Sequence, residues 1–158
     1  MKIIRSAKFN KARTRRYSLF RKWSDKPTTV WIMLNPSVAD ETSDDKTISK
    51  CIKFSKNWGY GGLYVINLCS DINTCPKETI SKLNTKQEID SISLSYMVDV
   101  IKNSKTVYCA WGFGISAPKW LTTILKNKTT KALALSKLAT PKHPLYLDPK
   151  LVPVNFTC

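Results

Sequence analysis

Four short segments carry the chemistry this chain can do. Asn35-Pro36-Ser37, Asn67, Trp111-Gly112 and Lys142-His143-Pro144 each follow an apolar run and bring a polar or glycine-bearing turn. An amide such as Asn35 is no strong base, but it can hold a water molecule in a fixed direction. Asn67 offers a donor and an acceptor on one side chain, enough for a bidentate hydrogen-bonded pair. His143, the single histidine, can donate a hydrogen bond as a neutral imidazole, best with a depressed pKa. Asp40, Glu41, Asp44 and Asp45 lie within six residues, in a chain of 11 acids against 26 Lys and Arg. They are the nearest carboxylates to Asn35, able to take a proton or to face a cation. Each feature has a plainer reading: Asn35 as a turn residue before proline, Asn67 as a strand-end cap, and His143 as the partner of a loop carbonyl. In the same way, Asp44 and Asp45 read as a helix cap, and Trp58 and Trp111 as core.

The elements that position these residues follow from periodicity and turn chemistry. Residues 29–34 (Thr-Val-Trp-Ile-Met-Leu) read as a strand buried on both faces, stopped by a proline that bars Asn35 from helical angles. Ile48, Cys51, Ile52, Ser55 and Trp58 recur at helical spacing, with 43–45 as candidate caps and Gly59-Tyr60-Gly61-Gly62 as the stop. Residues 63–66 form a second buried strand. A helical region over about 78–102 follows, broken near Asn84, with Ile89, Ile92, Tyr96 and Val100 inward. Residues 106–111 are a third strand, 117–126 a helix that carries Lys119, and 131–135 a fourth strand. The proline-rich tail from Leu138 is a loop with at most short structure. Strands alternating with helices predict a three-layer α/β/α fold around a mainly parallel four-stranded sheet, with a basic N-terminal hairpin strand near 16–19. Right-handed crossovers would bring the four strand ends to one rim, where open α/β sheets bind ligands.

The 158 residues fit a single domain able to bury about 70% of its unfolded surface: a basic segment 1–28, a core 29–147 and a tail 148–158. A net charge of +15 points to a polyanionic partner, nucleic acid ahead of a membrane. Residues 1–22 hold nine Lys or Arg and no acid, so Arg13, Arg15 and Arg16 are candidate phosphate contacts, with a solvated edge strand as the plainer reading. No run approaches 18 apolar residues, and the N-terminus lacks a signal-peptide core. Five cysteines without CxxC spacing read as reduced thiols of a cytoplasmic protein, and one histidine excludes a multi-histidine metal site. No P-loop or GxGxxG suggests a nucleotide cofactor. No metal and no cofactor is expected. The expected partner is DNA, single- or double-stranded, and the chain is expected to be a monomer.

The order of the strand-end motifs resembles the uracil-DNA glycosylase superfamily. Its strands end in a Gly-x-Asp/Asn-Pro water-activating motif, a base-reading Asn, an apolar-Trp-Gly turn and a His-Pro loop. The matching residues are Leu34-Asn35-Pro36, Ile66-Asn67-Leu68, Ala110-Trp111-Gly112 with Lys119 following, and His143-Pro144-Leu145, across roughly 29–147. The chain also resembles a little-characterised family of small bacterial and phage proteins, through Met33-Leu34-Asn35-Pro36-Ser37, Asp44-Asp45-x-Thr47, Trp58-Gly59-Tyr60-Gly61-Gly62, Asn67-Leu68 and His143-Pro144-Leu145-Tyr146-Leu147. Four departures from the glycosylase pattern stand out. The acidic cluster is not part of that pattern. Leu34 replaces the usual glycine, the loop after His143-Pro144 is short, and Asn35 stands where the fast uracil enzymes have Asp, as in the slower mismatch-specific branch.

The resemblance implies hydrolysis of an N-glycosidic bond in DNA. Asn35 would hold the water and His143 would donate to the base oxygen that becomes anionic; beside what the resemblance implies, the near neighbours Asp40, Asp44 or Asp45 could supply a carboxylate. Asn67 would read the base, Tyr60, Trp58 or Trp111 would flank or stack on it, and Leu145 or Tyr146 would fill the gap it leaves. Lys119 and Lys142 join the arginines as DNA contacts. Ser37 stands where strict uracil enzymes carry a tyrosine that blocks C5, so the implied substrate is a mismatched or C5-modified pyrimidine, hydroxymethylated or glucosylated. Such bases suit phage metabolism or phage defence, with base repair as the further context. Two rivals remain open: a non-catalytic nucleic-acid-binding protein on the same fold, and a Mg²⁺-dependent nuclease built on Asp40, Asp44 and Asp45.

Overall fold

Apolar residues at both parities of 28–33 leave that segment no solvent face, and it lies at the centre of a seven-stranded sheet. The computed structural model describes residues 2–73, 75–85 and 89–158. Its strands are β1 (Ile4–Phe9), β2 (Arg16–Lys22), β3 (Thr28–Met33), β4 (Gly62–Asn67), β5 (Thr106–Cys109), β6 (Thr129–Ala132) and β7 (Val154–Asn155). Its helices are α1 (Lys46–Asn57), α2 (Pro76–Thr85), α3 (Ser91–Lys102) and α4 (Lys119–Leu125). The sheet order is β1-β2-β4-β3-β5-β6-β7. The inner four, β4-β3-β5-β6, are parallel, while β1, β2 and β7 add antiparallel edges.

β3 packs on both faces. Val30 and Ile32 join a core with Leu83 of α2, Met97 and Ile101 of α3 and Leu121 of α4. Trp31 and Met33 join another with Ile48, Cys51 and Phe54 of α1. The chain passes from β3 through α1 to β4 on one side, then returns through α2 and α3 to β5 on the other. The carboxyl end of β3 is therefore the switch point at which an α/β sheet opens a crevice.

The four parallel strands and the alternating helices agree with the sequence, and several details differ. The basic N-terminal hairpin forms as expected, as β1 and β2, but it extends the sheet, which has seven strands rather than four. β1 and β2 belong to the main sheet, with Leu19 opposite Val65 in β4. The fourth parallel strand runs over Thr129–Ala132, earlier than 131–135, and Leu135 makes only an isolated bridge to Pro141. In the helical region 78–102, residues 86–88 lie outside the described residues; before them is α2, and after them α3, capped by Asp90. Of the expected inward residues, Ile89 and Val100 pack against the core and Tyr96 stacks on Tyr17, but Ile92 is 54% exposed, and the fully buried residues of α3 are Ser93, Met97 and Ile101. This helix is apolar nearly all round, so periodicity alone could not select the stripe. Ser93 turns inward because its hydroxyl bonds Ser70 and Asp90. Among the described residues no helix is long and apolar enough to cross a membrane.

Candidate functional site

A cavity of about 480 Å³ opens at the carboxyl ends of the parallel strands. Its lining brings together Asn35 and Ser37 after β3, Asn67 at the end of β4, Trp111 and Gly112 after β5, and His143 and Leu145 after β6. Asp45, at the start of α1, joins them.

Three of these groups keep hydrogen-bonding capacity that the protein does not use. The Asn35 Nδ2 donates to the backbone oxygens of Pro36 and Asn73. Both amide protons are spent, and the amide orientation is fixed. Its Oδ1 has no protein donor among the described residues, so it can accept from a water or ligand in the cavity. His143 Nδ1 accepts from the Leu145 N–H at 3.2 Å. That bond requires the neutral ring with its proton on Nε2, and partial desolvation of this exposed rim residue lowers the imidazole pKa, which favours the same form. Among the described residues the Nε2–H has no acceptor. Ser37 Oγ likewise has no protein partner among the described residues.

Asp45 caps α1, its Oδ1 accepting from the Ile48 N–H at 2.8 Å. One carboxylate serves as helix cap and cavity wall at once. Asp40 and Asp44 do not join it. Asp40 Oδ1 closes its own turn on the Thr42 and Ser43 N–H groups, and these bonds, led by Thr42, hold its carboxyl below the usual range. Asp44 pairs with the buried Arg21 at 2.7 Å and with Arg5 at 3.6 Å. Among the described residues no three His, Cys, Asp or Glu side chains cluster as a metal site.

Trp58 and Tyr60 are not cavity residues. Trp58 stacks on Trp31 and Tyr108 in the α1 core and donates to Leu151 O at 3.2 Å; the Tyr60 hydroxyl meets that of Tyr108 at 3.0 Å. Both follow the end of α1, and a crossover helix runs antiparallel to its strands, so they sit at the amino edge, away from the cavity. Trp111 does line it, as a wall whose Nε1 is spent on Ile115 O.

The basic candidates divide in the same way. Arg13 pairs with Glu41 at 2.8 Å and lies over the Phe9 ring; Arg15 pairs with Asp71 and Asp90. Arg16 is not a surface residue at all. It is 2% exposed and lines the cavity, donating to Ala39 O at 3.0 Å and, at 3.5 Å, to Asn67 Oδ1. Lys119 and Lys142 are exposed and outside the lining, and Tyr146, 92% exposed, stands beside Leu145 at the rim.

Residues 16–145 match the model of a family described as a protein of unknown function (DUF1643). The chain belongs to that family. The matched span opens at Arg16 and closes at Leu145, the first and last residues of the cavity lining, so the DUF1643 unit encloses the whole site. β1 and β7 fall outside it. No curated protein and no solved structure matches the chain.

Sequence reasoning gave several lining residues no site role, among them Thr47, Asn73, Ile80 and Phe113. Asn73 had a signal, as a polar residue three before the proline that starts α2, and its carbonyl fixes Asn35. Phe113 had one too. It sits between Gly112 and Gly114, whose φ angles of 92° and 95° turn the chain so that this ring is 68% exposed at the cavity mouth.

Proposed function

We propose that this chain is a monofunctional DNA glycosylase that hydrolyses the N-glycosidic bond of a flipped-out pyrimidine and leaves an abasic site. The observation that carries the reading is one cavity lined by Asn35, His143 and Asp45, in which Asn35 Oδ1 and the His143 Nε2–H have no protein partners among the described residues. Cleavage builds positive charge on the sugar and negative charge on the base, and fixed groups of opposite character are what lower that barrier. Asn35 Oδ1 holds the water against C1′. Asp45 faces the sugar cation and takes the water's proton. The neutral His143 donates to the base oxygen, and Asn67 at the end of β4 meets the base edge. Flipping costs about a few kcal/mol, offset by Leu145 and Tyr146 entering the gap.

Support also comes from the parallel core, whose strand ends carry these motifs in the order that resembles the uracil-DNA glycosylase superfamily, and from a net charge of +15 that suits a polyanion. The nuclease reading loses its basis, because Asp40 and Asp44 are turned to their own loop and to Arg21.

Ser37 lines the cavity with a free hydroxyl, so the site has room and a polar group where a tyrosine would exclude C5 substituents. Rejecting a methyl is worth only about 1–3 kcal/mol even in a tight pocket. A pyrimidine bearing a C5 hydroxymethyl group or a sugar is therefore the preferred substrate. The test incubates the protein, without metal, with DNAs carrying uracil, mismatched thymine, 5-hydroxymethylcytosine or its glucoside, then cleaves abasic sites with alkali. Breaks at the modified base, reduced selectively by Ser37→Tyr, are expected. Binding of all four DNAs without any abasic site would instead make the chain a non-catalytic nucleic-acid-binding protein.

A further inference from the structure

Arg16 is the one lining residue whose charge is buried. Its guanidinium offers five N–H donors and no acceptor. Among the described residues it has two partners, Ala39 O at 3.0 Å and Asn67 Oδ1 at a long 3.5 Å, and its Nε is buried with none. The carboxylate that acts on it most is Asp45, another lining residue, while Arg21 repels it. Burial lowers its pKa to about 10, which still leaves a full cation at neutral pH. A buried cation with so few protein partners favours an incoming oxygen that can accept from it. Because an arginine cannot accept, it must face the oxygen of Asn67, which turns Asn67 Nδ2 the other way as a second free donor.

We propose that Arg16 is a catalytic residue of this cavity: beside Asn67 its guanidinium takes an oxygen of the flipped pyrimidine and holds part of the charge the base gains as it leaves. The reaction is the one proposed above, and the inference rests on that reading for its chemistry, though not for ligand binding. The C1′–N bond breaks with its electron pair going to the base nitrogen. The water oxygen bonds C1′, its proton passes to Asp45, and the base anion takes a proton from solvent. His143 as a neutral donor and Arg16 as a cation then share the leaving group, while Asp45 stays with the sugar.

The test is single-turnover base release by wild type, Arg16→Met and Arg16→Lys from DNAs whose modified bases differ in N1 acidity. Arg16→Met should lose on the order of 10²-fold, most from the least acidic leaving base, with Arg16→Lys recovering part of the loss. Equal loss from every base, or none, would overturn the proposal, because an arginine that merely braces Ala39 has no reason to sense the leaving group. If wild type releases no base at all, the glycosylase reading fails separately. The binding claim is then read from the Arg16 Nε–H signal by NMR while free uracil or 5-hydroxymethylcytosine is added at neutral pH. A saturable shift supports a ligand-facing arginine, and an unmoved signal at millimolar base overturns it.

Discussion

The acidic loop 40–45 and the strand-end residues Asn35 and His143 are alike in the sequence, as polar groups flanking buried strands. They differ in what the fold leaves over. Asp40 spends its carboxylate on two backbone N–H groups, and Asp44 is bound by Arg21, which also donates to the carbonyls of Asp40 and Ser43. The loop is an internally closed unit that sets Asp45 at the head of α1. Asn35 and His143, both cavity-lining, use their bonds for orientation and keep one atom without a protein partner among the described residues. Charge density drew attention to the loop, whereas unused hydrogen-bonding capacity marks the cavity.

The largest effect expected from this comparison is on stability, at Arg21. Arg21→Met should cost about 3–5 kcal/mol in urea unfolding, because it leaves the Asp44 carboxylate with only the distant Arg5 and the Asp40 carbonyl without its donor. A loss below about 1 kcal/mol would mean that the loop is not held from this side. Next in size, and opposite in kind, are Asn35→Ala and His143→Ala. Each should lower single-turnover base release by on the order of 10²-fold while unfolding shifts by less than about 1 kcal/mol. If either variant loses stability and rate together, the two regions do not divide the work.

Much of this was legible in advance, for identifiable reasons. β3, β4 and β5 are apolar runs ended by proline, asparagine or glycine, so both their extent and the convergence of Asn35, Asn67, Trp111 and His143 could be read. β1 could not, because Ile4-Arg5-Ser6-Ala7-Lys8-Phe9 is short of apolar residues and half exposed along its length. Arg16 and Arg21 were illegible as interior residues. Their partners lie 23 and 51 positions away, and only the pairing of β2 with β4 brings them together. Trp58 and Tyr60 show a third kind of limit: the motif is plain, but the direction of α1 carries it to the wrong edge of the sheet.

A smaller, pH-dependent effect sharpens the account of His143. Its folded pKa lies below the ordinary 6.5 because the charged ring is disfavoured where it sits. The unfolded chain therefore binds the proton first as pH falls. Stability from this group is complete above about 6.5 and declines as pH drops from there toward the folded value. Protonation also ends Nδ1 as an acceptor and frees the Leu145 N–H. As the only histidine, its ring signals can be followed by NMR without ambiguity. The midpoint should lie below 6.5, the Leu145 amide should move with it, and His143→Gln should remove this part of the acid destabilisation. A midpoint at or above 6.5 would break the neutral-donor assignment.

The smallest effect concerns Arg13 and Arg15, whose guanidinium groups are already matched to Glu41 and to Asp71 and Asp90. Two readings of such pairs compete: internal braces like Arg21, or held phosphate contacts. Exposure decides between them. Arg21 and Asp44 are 0% and 16% exposed at their side chains, whereas Arg13 and Glu41 are 52% and 43% exposed and Arg15 and Asp71 are 38% and 34% exposed. Ion pairs in water are weak and easily exchanged, so a phosphate can replace the carboxylate at little cost. Arg13→Gln with Arg15→Gln should therefore weaken DNA binding severalfold on every sequence and leave base release at saturating DNA unchanged. The slope of log affinity against log salt should flatten by about two, close to one unit for each phosphate no longer neutralised. Lys142→Gln, beside the cavity mouth and without an ion-pair partner among the described residues, is the control, with an expected change of about one. An unchanged slope in the double variant would put Arg13 and Arg15 with Arg21 as bracing residues, and would leave the exposed lysines to carry the electrostatic attraction to DNA.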